Sequence, residues 1–294
     1  MDGPHMLIKA GFEIAYRCPD PTPMLLMLSL HPSRLRDLRT PQHIAFTPDV
    51  KRDNYVDGFG NVCTRIVAPE GLTTISTDFL IEDSGEADVI APEAKQHALQ
   101  DLPQETLVYL LGSRYCDTDH MHDLAWELFG NAPTGWGRVQ AICDYVHDRI
   151  TFGYPHARAT RTAREANVEQ KGVCRDFAHL AVTLCRCMNI PARYCTGYLG
   201  DIGVPAVPDP MDFSAWFEAY LGGRWYTFDA RHNKPRIGRI LMARGRDATD
   251  VAISTSFGPN TLASFKVITD EVSPAIAAAM EAQLREQPRS AARV

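Results

Sequence analysis

The chain has no apolar run approaching the ~20 residues that a membrane-spanning helix needs. Its longest candidate, Met24 to Leu30, is strand-sized. Basic residues are in deficit: 30 Lys and Arg stand against 36 Asp and Glu, a net charge of −6. The basic stripe of a nucleic-acid binder is therefore missing at the whole-chain level. No basic n-region and no apolar h-region open the sequence, so it lacks the marks of a secretory signal. No internal repeat is visible. The expectation is a cytoplasmic protein with neither nucleic acid nor membrane as partner. Met1-Asp2-Gly3-Pro4-His5-Met6 reads as a protease-site and cloning remnant, with the natural start at Met6. Residues 1–5 are set aside for fold reasoning.

What is present is ordinary for a globular chain. Of 294 residues, 45% are apolar and 22% charged, which excludes global disorder and a small disulfide knot. The length suits about two domains. The eight cysteines are expected as thiols in a reducing compartment.

The first 95 residues read as strands. Residues 7–17 place Phe12, Ile14 and Tyr16 in alternation, and 24–30 is nearly continuous apolar. Residues 43–47, 62–68 and 72–82 add short strands between Pro, Gly, Asp and Asn clusters. Such spacing predicts an antiparallel β-sandwich domain over 1–95. A linker follows over 96–119. Amphipathic helices are expected near 120–128 and 136–151, the second with Val139, Ile142, Cys143, Val146 and Ile150 on one face. Asp117, Asp119, His120 and His122 are too bunched for a closed metal site, so no metal is assigned.

A third helix opens at Gly172-Val173-Cys174, runs to about Met188 and stops before Pro191. Cys174 falls in its first turn, where unpaired N–H groups and the helix dipole favour negative charge. That setting predicts a lowered thiol pKa and an oxyanion-binding N–H. The competing reading is a buried thiol that merely packs, as expected of Cys143, Cys185 and Cys187.

A hairpin follows over 213–230, turning at Gly222-Gly223. A two-residue turn sets Leu221 opposite Arg224 and Trp216 opposite Asp229. Ser214, Trp216 and Asp229 then share one face, with Ser214 and Asp229 diagonal at roughly 7–8 Å. An imidazole at 214 would meet a carboxylate at 229 there. A last strand is expected over 260–272, a helix over 274–286, and a tail beyond.

These motifs resemble the transglutaminase-like superfamily. Gly172-Val173-Cys174-Arg175-Asp176-Phe177-Ala178 is similar to its nucleophile motif. Ser214-Ala215-Trp216-Phe217-Glu218 resembles the motif that begins with the catalytic His, and Trp225-Tyr226-Thr227-Phe228-Asp229 the strand carrying the catalytic Asp. Gly245-Arg246-Asp247-Ala248 is also family-like. The resemblance implies an α+β fold, with a papain-like core over 120–272 after the sandwich and a C-terminal helix and tail over 273–294. It implies a Cys thiolate that attacks an amide carbonyl, forms an acyl thioester and passes it to water or an amine. No cofactor is needed for that cycle, and the partner is a peptide or protein substrate. Cys174 carries over as nucleophile and Asp229 as orienter.

The departure is Ser214, which stands where the family has its His. A hydroxyl cannot take a thiol's proton near neutral pH. Three readings stay open. Another histidine serves: His232, which hairpin parity sends to the opposite face unless the chain bends after Ala230, or His179 or His156. Alternatively Cys174 works without a histidine, aided by the helix N-terminus and Arg231. Or the site is degenerate and only binds a peptide or protein partner. Trp216, Gln170 and Arg231 are the candidate substrate-binding residues. Gln170 is a candidate oxyanion donor or a loop surface residue. Trp216 shields the thiol or fills the sheet face. Arg231, Arg236, Arg239, Arg244 and Arg246 are expected to pair with carboxylates, an anionic substrate being the sharper alternative.

Overall fold

The computed structural model describes residues 6–207 and 211–286. The remnant expected over 1–5 and the tail expected over 287–294 lie outside the described residues. Six strands open the chain: β1 (Met6–Cys18), β2 (Thr22–Leu26), β3 (Ala45–Thr47), β4 (Arg52–Val56), β5 (Val62–Ala68) and β6 (Gly71–Asp83). The alternation read in β1 is real: Ile8, Ala10, Phe12, Ile14 and Tyr16 are all buried. β4 was not legible, because Arg-Asp-Asn-Tyr-Val is exposed at every position and has no burial period to show.

The second half holds α1 (His122–Phe129), α2 (Trp136–Arg149), β7 (Thr151–Phe152), α3 (Ala163–Glu169), β8 (Lys171–Gly172), α4 (Cys174–Cys187), β9 (Ala192–Tyr198), β10 (Ser214–Leu221), β11 (Arg224–Phe228) and β12 (Ile240–Gly245). β13 (Ser254–Ser256), β14 (Thr261–Glu271) and α5 (Pro274–Glu286) close the chain. β9 to β12 form one antiparallel sheet in the order β11-β10-β9-β12. Phe217, Ala219 and Leu221 of β10 pack with Leu180, Ala181 and Leu184 of α4. Successive strand side chains alternate faces, so Ser214, Trp216 and Glu218 point to the sheet's other side. Cys143, Cys185 and Cys187 are buried in this core, as expected.

The strand at the C-terminal end is a correction. Residues 254–271, expected within the core, instead supply edge strands to the N-terminal sheets. These are ordered β14-β1-β6-β3 and β13-β2-β5-β4. β14 runs antiparallel to β1 from Ile8↔Glu271 to Arg17↔Thr261. The pairing covers an otherwise open edge of β1, a contact that no local pattern encodes. The expected linker is also partly built: residues 104–110 form a 3-10 helix that buries Thr106 and Tyr109.

The two halves share one apolar cluster. Phe12, Ile14 and Phe79 of the sandwich meet Tyr198, Phe213, Ile240 and Met242 of the core. Phe213 packs edge-on against Phe12, Tyr198 and Phe265, at 5.9, 5.1 and 5.8 Å between centroids. The sandwich therefore anchors the residue at which β10 begins.

Candidate active site

The Gly-Val-Cys-Arg-Asp sequence is a helix start built around a buried carboxylate. Val173 is extended at φ −114°, ψ 175°, and Cys174 is the first helical residue. Asp176, fully enclosed, accepts from the Val173 N–H at 2.9 Å and from Arg161 Nη1 at 2.9 Å. It thus satisfies a backbone donor that the helix leaves open. Gly172 is required beside it: a Cβ there would sit 2.6 Å from Asp176 Oδ2 and 2.7 Å from its Cβ. Glycine, carboxylate and arginine together fix where Cys174 enters the helix.

Cys174 keeps part of its surface exposed. Its Sγ lies 3.9 Å from the Phe213 carbonyl oxygen, toward which the thiol can donate. The Ala215 N–H also reaches it. The thiol therefore rests against the peptide groups on either side of Ser214. Its acidity differs from expectation. Burial pushes the thiol up to about 11, and Asp212 adds to this, while Arg231 and the Ala215 N–H pull the other way. The helix N-terminus does not leave a resting thiolate here, because desolvation opposes charge more strongly than the nearby donors favour it.

Ser214 is 6% exposed, and its hydroxyl has no hydrogen-bond partner among the described residues. It does not bond the thiol. The hairpin beyond it matches the expected register, with Phe217↔Phe228 and Leu221↔Arg224. Gly222 and Gly223 take φ of +55° and +87°, the left-handed values that this turn demands.

His232 answers the parity problem. The chain bends after Ala230 and folds back over Asp229. Asp229 Oδ1 accepts from the Arg231 and His232 N–H groups, each at 3.0 Å. The Asn233 N–H returns to the Asp229 carbonyl at 2.8 Å, and Asn233 is left-handed at φ +48°. His232 Nδ1 then meets Asp229 Oδ2 at 2.8 Å. In the neutral imidazole a carboxylate at that distance favours the tautomer with the proton on Nδ1, whose Nε2 is an acceptor. The same Oδ2 accepts from Arg239 Nη2 at 2.8 Å. Burial alone would raise the Asp229 carboxyl; Arg239 and His232 overrule it and hold it well below the usual carboxylate range. Asp229 thus pairs with His232 and Arg239, and meets Arg231 only through backbone.

The remaining candidates fall as follows. Arg231 sets its guanidinium 3.7 Å from the centroid of the Phe152 ring, within electrostatic reach of Cys174. Trp216 is 3% exposed with Arg239 stacked 5.1 Å from its ring, so it fills the sheet face. Gln170 is an exposed, left-handed C-cap of α3 at φ +54°, with no side-chain hydrogen bond among the described residues. His179 is buried and stacked 5.0 Å from Tyr115, and accepts from the Ala248 N–H at 3.1 Å. Burial lowers it to about 3, with Arg175 and Arg186 adding to this against Asp247. It is a core residue that ties the Gly245–Val251 motif to α4. His156 lies in a 3-10 turn whose carbonyl accepts from Arg161. The expected arginine pairing holds for Arg236, Arg239 and Arg246. The residue that the sequence did not single out is Asp88, which clamps Arg239 Nε at 2.9 and 3.1 Å.

Residues 122–230 match the family model of the transglutaminase-like superfamily. The core is transglutaminase-like. A candidate cysteine protease from Cytophaga hutchinsonii shares the whole architecture, with 28% identity and a TM-score of 0.76 over 92% of this chain and 91% of that one. An uncharacterized protein of Mycobacterium leprae is 39% identical over 85 residues, 28% of this chain and 30% of that protein. The chain thus matches under a third of that relative's length. In the described residues no helix is long and apolar enough to cross a membrane.

Proposed function

We propose that this transglutaminase-like chain is a thiol enzyme that cleaves or transfers peptide or amide bonds through an acyl thioester. The observation that carries the reading is the His232–Asp229 pair, formed although the position resembling the family's His is Ser214. A thiol raised to about 11 needs a base. His232, with Nδ1 oriented by Asp229, offers Nε2 for that task.

In this reading His232 takes the thiol proton and Cys174 Sγ attacks the carbonyl carbon. The N–H groups at the start of α4 hold the oxyanion. As the C–N bond breaks, His232 returns the proton to the leaving amine. Water or a second amine then attacks the thioester, His232 takes the incoming nucleophile's proton, and as the C–S bond breaks His232 passes that proton to the departing Cys174 sulfur. The test is peptide-resolved alkylation of Cys174 against pH, with amidase activity followed in parallel. Cys174→Ala abolishes activity, and His232→Ala slows both alkylation and turnover near pH 7 by ~100-fold or more. Unchanged turnover in Cys174→Ala would refute the assignment. A turnover that depends on Cys174 excludes the alternative of a groove that only binds a partner.

A further inference from the structure

Arg231 differs from the other arginines around the site. Arg158, Arg161 and Arg239 each meet a carboxylate within ion-pair distance. Among the described residues Arg231 meets none. Its backbone is nonetheless fixed. The N–H donates to Asp229, and the carbonyl lies 2.9 Å from His147 Nδ1. Its guanidinium is laid on the Phe152 ring, and Phe152 pairs with Gly172, two residues before the nucleophile. A guanidinium face on an aromatic ring leaves the N–H edge available for a planar anion.

The charged neighbours do not already fill that role. Asp229 spends its oxygens on Arg239, His232 and two backbone N–H groups. Asp212 is half-buried, and burial raises its carboxyl against the pull of the Phe213 N–H and Arg231. A held, unpaired cation beside a nucleophile recognises charge on what the nucleophile attacks.

We infer that Arg231 binds a free carboxylate of the substrate, so that the preferred acyl donor is an amide carrying a carboxylate within a few bonds of the scissile carbonyl. This rests on the thiol-enzyme reading above, and names the substrate class of that same site.

The test uses two alkylating agents of one shape: iodoacetate, with a carboxylate next to the reacting carbon, and neutral iodoacetamide. The readout is their rate ratio at Cys174, divided by the same ratio for free N-acetylcysteine. The expected normalised ratio is about ten or more at low salt, falling toward one in 1 M NaCl. Arg231→Gln brings it to about one, and Arg231→Lys retains part of it. Arg231→Gln slows both reagents, since the cation also favours the thiolate, but the ratio cancels that common factor. A normalised ratio near or below one in the wild type, or one unchanged in Arg231→Gln, overturns the inference while leaving the thiol-enzyme reading standing. A Cys174 that alkylates with neither reagent faster than the buried cysteines overturns both.

Discussion

Removal of Arg239 is predicted to be costly. It is 9% exposed and lies between two carboxylates, Asp88 at 2.9 Å and Asp229 at 2.8 Å. Burial alone would strip its charge; Asp229 and Asp88 overrule this and raise it further. Arg239→Met keeps much of the stem's volume and deletes the cation. Buried Asp229 and half-buried Asp88 are then left without the cation they share. Breaking a buried pair in this way costs about 3–5 kcal/mol at pH 7, which for a chain of this size moves Tm by roughly 10 °C. The pH dependence has a definite sign. Asp229 is depressed in the fold, so its contribution is present above the unfolded carboxylate pKa of ~3.9 and is lost as pH falls through the lower folded value. The gap between wild type and Arg239→Met must therefore be widest near neutral pH and shrink below about pH 4. Urea unfolding at pH 7 and pH 3.5 measures it, with Arg239→Lys expected between the two because it keeps charge without the fork. A gap below about 1 kcal/mol at pH 7, or one of equal size at both pH values, would refute the reasoning.

Two further expectations follow from the same geometry. Gly172→Ala drives a Cβ into Asp176, which Arg161 and the Val173 N–H hold in place. It should cost about 2–4 kcal/mol by overpacking and cap loss, read by denaturant unfolding, and should slow Cys174 alkylation; a neutral effect would mean that Asp176 is free to move. Ser214→Ala removes a buried hydroxyl that bonds nothing among the described residues. It should be neutral or stabilising by up to about 1 kcal/mol and should leave Cys174 reactivity unchanged, whereas a large loss of either would give Ser214 a role that this geometry denies it.

Local physics explains which parts were legible. The Gly-Gly turn fixed the hairpin register, because only a φ-positive pair closes a two-residue loop with this twist. The α4 boundaries followed from Cys174 and from Pro191, and the β1, β5 and β6 alternations from one buried face each. β4 and α3 were not read. The first lacks an apolar period, and the second is a seven-residue helix held by the Thr162–Glu165 capping box. The burial that pushes the Cys174 thiol up was not legible, because a helix N-terminus is visible in sequence and the packing around a side chain is not.

By itself the sequence determined the place of Cys174 at a helix start, the strand that runs up to Asp229, and a serine at 214. These depend on turns, caps and periodicity within a few residues. Only the tertiary structure decided which imidazole meets Asp229. The bend that returns His232 to Asp229 defies strand parity. The Arg239–Asp88 clamp joins residues about 150 positions apart. The seating of β14 against β1 pairs residues some 245–265 positions apart. The first is a local contact made by a change of chain direction, whereas the other two join segments far apart in sequence, which no local pattern records.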